Sequence, residues 1–452
     1  MIHTQASFDL KALQADLPGI TQSTDPQQLR LKSRDFYWYS PILDARLKEC
    51  RADVVLQPRD EAEIVAIAAA AARHQVPLTL RGGGTGNYGQ SVPLAGGAVI
   101  DMTKLDRVIE VGDGYVRVQA GCRISVIQEA VEQHGQQLMM FPSTQRIATI
   151  GGFIAGGLAG IGSIRHGIIQ ESHFVRSVRV LTVEEEPRII TLAGDEVDAI
   201  LHAWGTNGIL LEFELGLVAA EDWIHCITQF ASYEDVLRFG SAVHATPDLD
   251  VFQLSAVEGR FAPYYESLGS HFDAARHAMF GVVNRSHLEA FRELAASFGG
   301  EITLAMDEDE LEHAELPPMH ECAFNHTTLQ VLKKDRGWTY LQFVMAQPFD
   351  PELVTRQMAR YGDEVLMHHE FTRVGGAPRV SCLPLVRYSS QERLAELAQE
   401  FAADGCLVRN AHAFTLEECG RVADQEQIAM KGVADPLDLL NRGKSATIVG
   451  RE

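Results

Sequence analysis

The sequence predicts an α+β protein of two domains, on three observations. A strand–helix–strand unit spans residues 53–81, further short strands run on to 218, and the texture changes near Ala219-Ala220-Glu221-Asp222. Beyond that point helical stretches alternate with strands, which suits a second core. A length of 452 residues is ample for two or three domains.

Taken in order, residues 1–45 form a polar N-terminal extension, and Phe36-Tyr37-Trp38-Tyr39 within it reads as a packing cluster before it reads as a ligand cover. Residues 53–58 read as a strand. Asp60-Glu61 then opens an alanine-rich helix over 62–74, because acids favour the first turn and alanine the interior. A second strand covers 76–81. Strands over 98–102 and 115–120, a helix over 125–134, and strands over 138–141, 177–182, 188–192 and 210–218 complete the first domain, 46–220. In the second, 221–430, helices are expected over 287–297 and 391–402 and strands over 338–345 and 364–371.

Charge excludes one class of partner. Thirty-nine Lys and Arg against 61 Asp and Glu give a net charge of −22, so neither nucleic acid nor an anionic membrane is an expected partner. Seven scattered cysteines, none in C-x-x-C spacing, point to a reducing, cytoplasmic compartment. Met1-Ile2-His3-Thr4-Gln5 lacks the marks of a signal peptide, and the apolar stretch 147–164 is too glycine-rich for a membrane helix.

The glycines carry the chemistry. Arg81-Gly82-Gly83-Gly84-Thr85-Gly86-Asn87-Tyr88-Gly89 contains a formal G-x-G-x-x-G directly after a strand. The nicotinamide-dinucleotide fold needs a helix immediately afterwards to hold the pyrophosphate. Pro93, Gly96 and Gly97 deny that helix, so the motif match is false. A strand–loop–strand remains, whose bare N–H groups form a concave nest fit for a diphosphate. A second segment, Thr149 to Gly167, places seven glycines among Ile, Leu and Phe. Backbone so crowded has donors that need partners, and a flat anionic cofactor supplies them; a glycine-packed helix at Gly152 and Gly156 is the alternative.

In order along the chain, these pieces resemble the flavin-binding domain of the PCMH-type FAD oxidoreductases, the vanillyl-alcohol oxidase and p-cresol methylhydroxylase superfamily. They are Arg81 to Gly86, Val99-Ile100-Asp101-Met102, Val118-Gln119-Ala120-Gly121, Phe141-Pro142-Ser143, Thr149-Ile150-Gly151-Gly152 and Gly205-Thr206-Asn207-Gly208-Ile209. The end of the chain, Leu440-Asn441-Arg442-Gly443-Lys444, is similar to the family's Asn-Pro-Gly-Lys, with Arg442 in place of proline. The resemblance implies a two-subdomain PCMH-type FAD-binding domain, an α/β cap or substrate domain with an antiparallel sheet, and a tail over 431–452 that returns to the first domain. It implies FAD held by Arg81, Gly82, Gly83, Gly84, Thr85, Gly86, Asn87, Pro142, Thr149, Ile150, Gly151, Gly152, Gly156, Ser163, Ile209, Asn441 and Lys444. Many relatives attach FAD through a histidine at the position of Thr85. Threonine cannot form that link, so dissociable FAD is expected unless Cys122 or another residue serves.

An alcohol substrate also needs a base for its hydroxyl proton. Polar clusters at His320 to Thr327, at His368-His369-Glu370 and at Asn410-Ala411-His412 nominate His326, His369 and His412 as catalytic. Strand alternation sends His368 and Glu370 one way and His369 the other. Arg373, Arg387 and Arg409 are candidates for a substrate carboxylate. His326, His369, Glu370 and His412 are chemically able to ligate a metal. None is expected, because the His-x-Gly-Asp-Gly-Asn-x-x-His pattern of relatives acting on D-2-hydroxy acids is absent. The expected function is FAD-dependent hydride transfer from an alcohol or 2-hydroxy acid, with dioxygen or an acceptor protein taking the electrons and self-association left open. The alternatives are oxidation of a para-substituted phenol and a flavin-carrying electron-transfer subunit.

Overall fold

The computed structural model describes residues 8–246, 248–420 and 425–445. The chain divides into two compact units, one made of Met1–Leu158, Ser172–Ala220 and His412–Glu452, the other of Ala159–Glu171 and Glu221–Ala411. The second unit thus ends at Ala411 instead of near 430, and it takes in residues 159–171. A composition shift cannot reveal such a detour, since those thirteen residues read as a continuation of the glycine-rich segment.

The first unit holds two sheets. One runs Thr21–Ser23, Val54–Gln57, Ala98–Asp101, Leu78–Arg81, with the last three strands parallel and the first antiparallel. Helix Glu61–His74 makes the crossover. Asp60 caps it by accepting the Glu63 N–H, Glu61 and Glu63 fill its first turn, and Gln75 ends it at φ 55°. Its Ile64, Ile67, Ala68 and Ala71 are fully buried in the core beside Val54, Leu78 and Ile100, where each isoleucine contributes about 1.5–3 kcal/mol. The tail adds to this sheet: Leu440 bridges Leu78 in parallel, with Leu78 N–H donating to Leu439 O at 2.8 Å.

The second sheet of this unit runs Val108–Gly112, Tyr115–Gln119, Ile209–Ala219, Val175–Leu181, Ile189–Ala193, all antiparallel, and Gln136–Leu138 pairs with the far end of Ile209–Ala219. Helix Ile124–Glu132 buries Ile124, Ile127 and Val131, one face of a 3.6-residue period. Backbone meets backbone where the strand Tyr115–Gln119 ends. A Cβ on Gly121 would sit 1.9 Å from Met102 O, and one on Gly151 would sit 2.8 Å from Ala120 O.

The second unit is built on an eight-stranded sheet in the order Glu301–Met306, Trp223–Phe230, His277–Asn284, Val251–Val257, His368–Val374, Ala377–Cys382, Gln342–Val344, Leu407–Arg409. Its neighbours pair antiparallel. The strands expected over 338–345 and 364–371 are each cut in two. Trp338–Tyr340 and Val365–Leu366 join Leu385–Arg387 in a small separate sheet, while Gln342–Val344 and His368–Val374 belong to the large one. Leu341 and Met367 are the corners, and both are buried, so the apolar run is unbroken although the pairing changes. Helices Tyr233–His244 and Leu288–Ser297 pack through Phe239, whose ring lies 5.3 Å from Phe230 and 5.0 Å from Phe291.

This unit also buries histidines. Burial pushes His166, His244, His277 and His326 down to about 4 and His369 to about 3. Each therefore stays neutral in the folded chain at pH values where the unfolded chain takes up a proton. Folding stability is expected to fall as pH drops from about 6.5 towards 4, with an uptake of as many as five protons on unfolding, and to be regained above 6.5. The pH dependence of the unfolding midpoint measures this, and His244→Leu should remove about one proton from the slope. Two glycine substitutions separate close approach from mere flexibility. Gly121→Ala should destabilise by about 3 kcal/mol, whereas Gly432→Ala, whose Cβ meets nothing within 4 Å in helix Gln425–Ala434, should gain about 0.5–1 kcal/mol in denaturant unfolding.

Candidate cofactor-binding site

After Leu78–Arg81 the chain turns through 82–97 without forming a helix before the next strand. Gly84 and Gly89 take φ of 66° and 74°, which L side chains adopt at a cost. The N–H groups of Gly83, Gly84, Thr85 and Gly86 donate to no protein acceptor among the described residues. Beneath them lies Arg81, 8% exposed. Its guanidinium occupies the space a Gly84 side chain would need, 2.2–2.4 Å from the ideal Cβ. It donates to Arg34 O and to Ser91 Oγ, and its Nε is buried with no partner. Bare donors over a buried cation make an anion cradle.

Three segments distant in sequence hold this loop. From the N-terminal side, Phe36 N–H donates to Gly86 O at 2.7 Å, and the buried Asp35 carboxylate accepts from Tyr37 N–H at 2.9 Å and Ser91 N–H at 3.3 Å. Burial raises the Asp35 pKa, opposed first by Lys444 and then by its backbone donors. From the tail, Asn441 Oδ1 accepts from Leu80 N–H at 3.1 Å, and its Nδ2 donates to Trp204 O and, at 3.4 Å, to Gln90 O. Lys444, with no exposed surface, donates its Nζ to Gly89 O, and burial pulls its pKa down to about 8. From the segment after His412, Ala413 packs with Trp204 and Tyr88, and Leu416 N–H donates to Lys444 O at 2.9 Å. The resemblance implied that Asn441 and Lys444 hold the cofactor; in this geometry Asn441 Oδ1 accepts Leu80 N–H, and Asn441 Nδ2 and Lys444 Nζ donate to protein carbonyls.

The second glycine segment packs against the first. Thr149 caps helix Ile150–Gly156 by accepting Gly152 N–H, and the N–H groups of Ile150 and Gly151 donate to Cys122 O at 2.9 Å and Ala120 O at 2.8 Å. Those donors are therefore satisfied within the protein. A Cβ on Gly82 would lie 2.0 Å from Thr149 Oγ1 and one on Gly83 2.2 Å from Ile147 O, so these glycines serve close approach of two backbones. Gly152 is exposed, and Gly156 faces Gln90, whose Nε2 donates to Gly156 O at 3.4 Å while its Oε1 is buried without a partner. Pro142 lies in the turn leading here, its carbonyl accepting Gln145 N–H at 3.0 Å. Asn87 is buried in the first loop, and Ile209 is fully buried at the start of its strand. Ser163 sits instead in the second unit, buried, with Oγ accepting Gly160 N–H at 2.9 Å. The unsatisfied loop donors and the orphaned Arg81 Nε fit an FAD diphosphate.

The histidines separate. His412 belongs to the first unit, not the second, and its Nδ1 lies 2.8 Å from Ser40 Oγ. In the second unit His326 Nδ1 lies 3.1 Å from Glu321 O, and His369 Nδ1 lies 2.9 Å from Tyr233 Oη. On the opposite face of the same strand, His368 Nε2 lies 2.7 Å from Glu370 Oε1. Glu370 also accepts from Ser255 Oγ–H at 2.6 Å and Phe324 N–H at 2.5 Å, so this buried carboxylate is fully engaged. Arg373 donates to Ile164 O and Gly376 O, and Arg387 to Asp335. His225, Glu308 and His320 come together with ligand atoms within 4.8 Å. However, His225 Nδ1 accepts Met319 N–H at 3.1 Å, which puts the ring proton of neutral His225 on Nε2, the atom facing Glu308, and opposes ligation there.

Sequence reasoning missed Asp35, Ser40, Gln90, Ser91 and Trp204, and no local pattern marks them, since each matters through a contact with a remote segment.

Residues 52–190 match a family model described as an FAD binding domain. The glycolate oxidase subunit GlcD of Escherichia coli (strain K12) is 30% identical over 200 residues, 42% of this chain and 39% of that protein. A D-lactate dehydrogenase of Anaerostipes hadrus is 23% identical over 207 residues, 42% of this chain and 41% of that one. The match spans less than half the length of either relative. A solved structure of alkyldihydroxyacetonephosphate synthase superposes with a TM-score of 0.73 at 13% identity, covering 98% of this chain and 88% of the other, and so shares the fold. Residues 52–190 of this chain form an FAD binding domain.

Proposed function

We propose that the chain is an FAD-dependent oxidoreductase acting on a hydroxylated carbon of a small alcohol or 2-hydroxy acid. The observation that carries this reading is the set of unsatisfied N–H groups at Gly83 to Gly86 above the buried Arg81 guanidinium. FAD, when bound, supplies the acceptor for a hydride. The protein's part is placement and the proton. The loop and Arg81 bind the diphosphate, and the second unit, 221–411 with 159–171, supplies the substrate domain.

Among the three candidate bases, His326 and His369 are pushed to about 4 and about 3 by burial, far below neutrality and poor acceptors for a hydroxyl proton. His412 lies in the same unit as the flavin cradle and is oriented by Ser40, so we assign the proton to it. Relatives named glycolate oxidase subunit and D-lactate dehydrogenase support the substrate class. The word subunit in the first name favours a second reading, a flavin carrier that works only with a partner.

Thr85 stands where a linking histidine would be needed, and the Cys122 thiol is fully buried with its pKa pushed up to about 12. Both support non-covalent FAD. Free, scattered cysteines support a cytoplasmic setting, and among the described residues no helix is long and apolar enough to cross a membrane. Dioxygen or an acceptor protein would take the electrons.

After acid precipitation, flavin absorbance should appear in the supernatant; flavin kept by the pellet contradicts dissociable FAD. A 2-hydroxy acid or alcohol should bleach the flavin near about 450 nm in the isolated chain, and bleaching only with an added partner favours the carrier reading. His412→Ala should slow that bleaching about 10²-fold with flavin content unchanged; an unchanged rate removes His412 from the proton step.

A further inference from the structure

The Gln90 side chain spans the two glycine segments. Its Nε2 donates to Gly156 O at 3.4 Å, at the end of helix Ile150–Gly156, while its Oε1 stands against Gly86 in the first loop. Both glycines make room for it. An ideal Cβ on Gly86 would lie 2.1 Å from Gln90 Oε1, and one on Gly156 3.3 Å from Gln90 Nε2.

Gln90 Oε1 is buried and accepts from no protein donor. Exchanging the two ends of the amide is no remedy, because that sets the side-chain carbonyl against the carbonyl of Gly156. The Asp35 carboxylate, on the same side of Gly86, is an acceptor too, engaged by the Tyr37 and Ser91 N–H groups. This corner therefore holds acceptors where the loop beside it holds free donors. A buried carbonyl left without a donor is destabilising, so a ligand that brings a donor gains by satisfying it.

An FAD diphosphate has no proton to give at neutral pH, so it answers the loop N–H groups and not this carbonyl. The FAD donors nearest the diphosphate are hydroxyls. On the ribityl side one hydroxyl sits on the carbon next to the ester carbon; on the ribose side the hydroxyls begin one carbon further away. We propose that Gln90 is a cofactor-binding residue whose Oε1 accepts a hydrogen bond from the ribityl hydroxyl closest to the diphosphate. It thereby reads the flavin half of the dinucleotide beside the loop that grips its phosphates. This rests on the FAD reading of the loop.

The test titrates the full chain, stripped of flavin, with FAD, with 4′-deoxy-FAD, which lacks that hydroxyl, and with ADP, which lacks the ribityl chain. The unsubstituted chain should bind 4′-deoxy-FAD about fivefold more weakly than FAD, the worth of one neutral hydrogen bond. In Gln90→Met, which keeps the volume and removes the amide carbonyl, FAD should weaken by a similar factor. FAD and 4′-deoxy-FAD should then bind within about twofold of each other, with ADP unchanged. A general loosening of the loop weakens all three ligands and keeps the FAD advantage over 4′-deoxy-FAD, which overturns the proposal. Equal binding of FAD and 4′-deoxy-FAD by the unsubstituted chain also overturns it. So does ADP weakened as much as FAD, which moves the contact to the ribose. Gln90→Ala repeats the measurement if the Met variant does not fold, and failure of both to fold makes the residue structural and overturns the proposal. If the unsubstituted chain binds neither FAD nor ADP, the FAD reading fails instead.

Discussion

The account depends on the main-chain N–H groups of Gly83 to Gly86, which donate to no protein acceptor among the described residues. An anion site made of main-chain N–H groups has no charge of its own, and a single carbonyl turned inward cancels much of it. In this chain, donors from the N-terminal segment and the C-terminal tail take the carbonyls of Gly86, Gly89 and Gln90, while Arg81 supplies a buried cation beneath Gly84. The glycines at 82 and 83 answer a different need, the close approach of Thr149 and Ile147. One run of glycines thus does two jobs, Gly84 and Gly86 making room for the Arg81 and Gln90 side chains and Gly82 and Gly83 for the Thr149 and Ile147 segment.

Much of the first domain was legible in the sequence. Alternation and caps marked the strand–helix–strand unit to within a few residues, because Asp60, an alanine-rich helix and flanking apolar strands are local signals. Pro93, Gly96 and Gly97 sufficed to reject the nicotinamide motif, and the loop indeed meets no helix. The support of that loop was not legible. Asp35, Ser40 and Trp204 act across more than a hundred residues of chain in some cases, and composition carries no record of such pairings. For the same reason His412 read as part of the second domain, although it lies in the first unit.

In the second unit strand alternation worked on a fine scale, placing His368 with Glu370 and His369 apart with Tyr233. It failed at Leu341 and Met367, where an unbroken apolar run turns a corner between two sheets. Burial then decides the chemistry: histidines that looked like candidate bases are held neutral by their surroundings, and Glu370 is committed to three donors.

Amide hydrogen exchange across residues 81–92, measured with and without ADP, tests the central claim most directly. If the N–H groups of Gly83 to Gly86 grip the diphosphate, ADP protects that segment as strongly as FAD does, and adenosine does not. Binding of FAD that leaves those amides exchanging at the rate of the free chain would contradict the account.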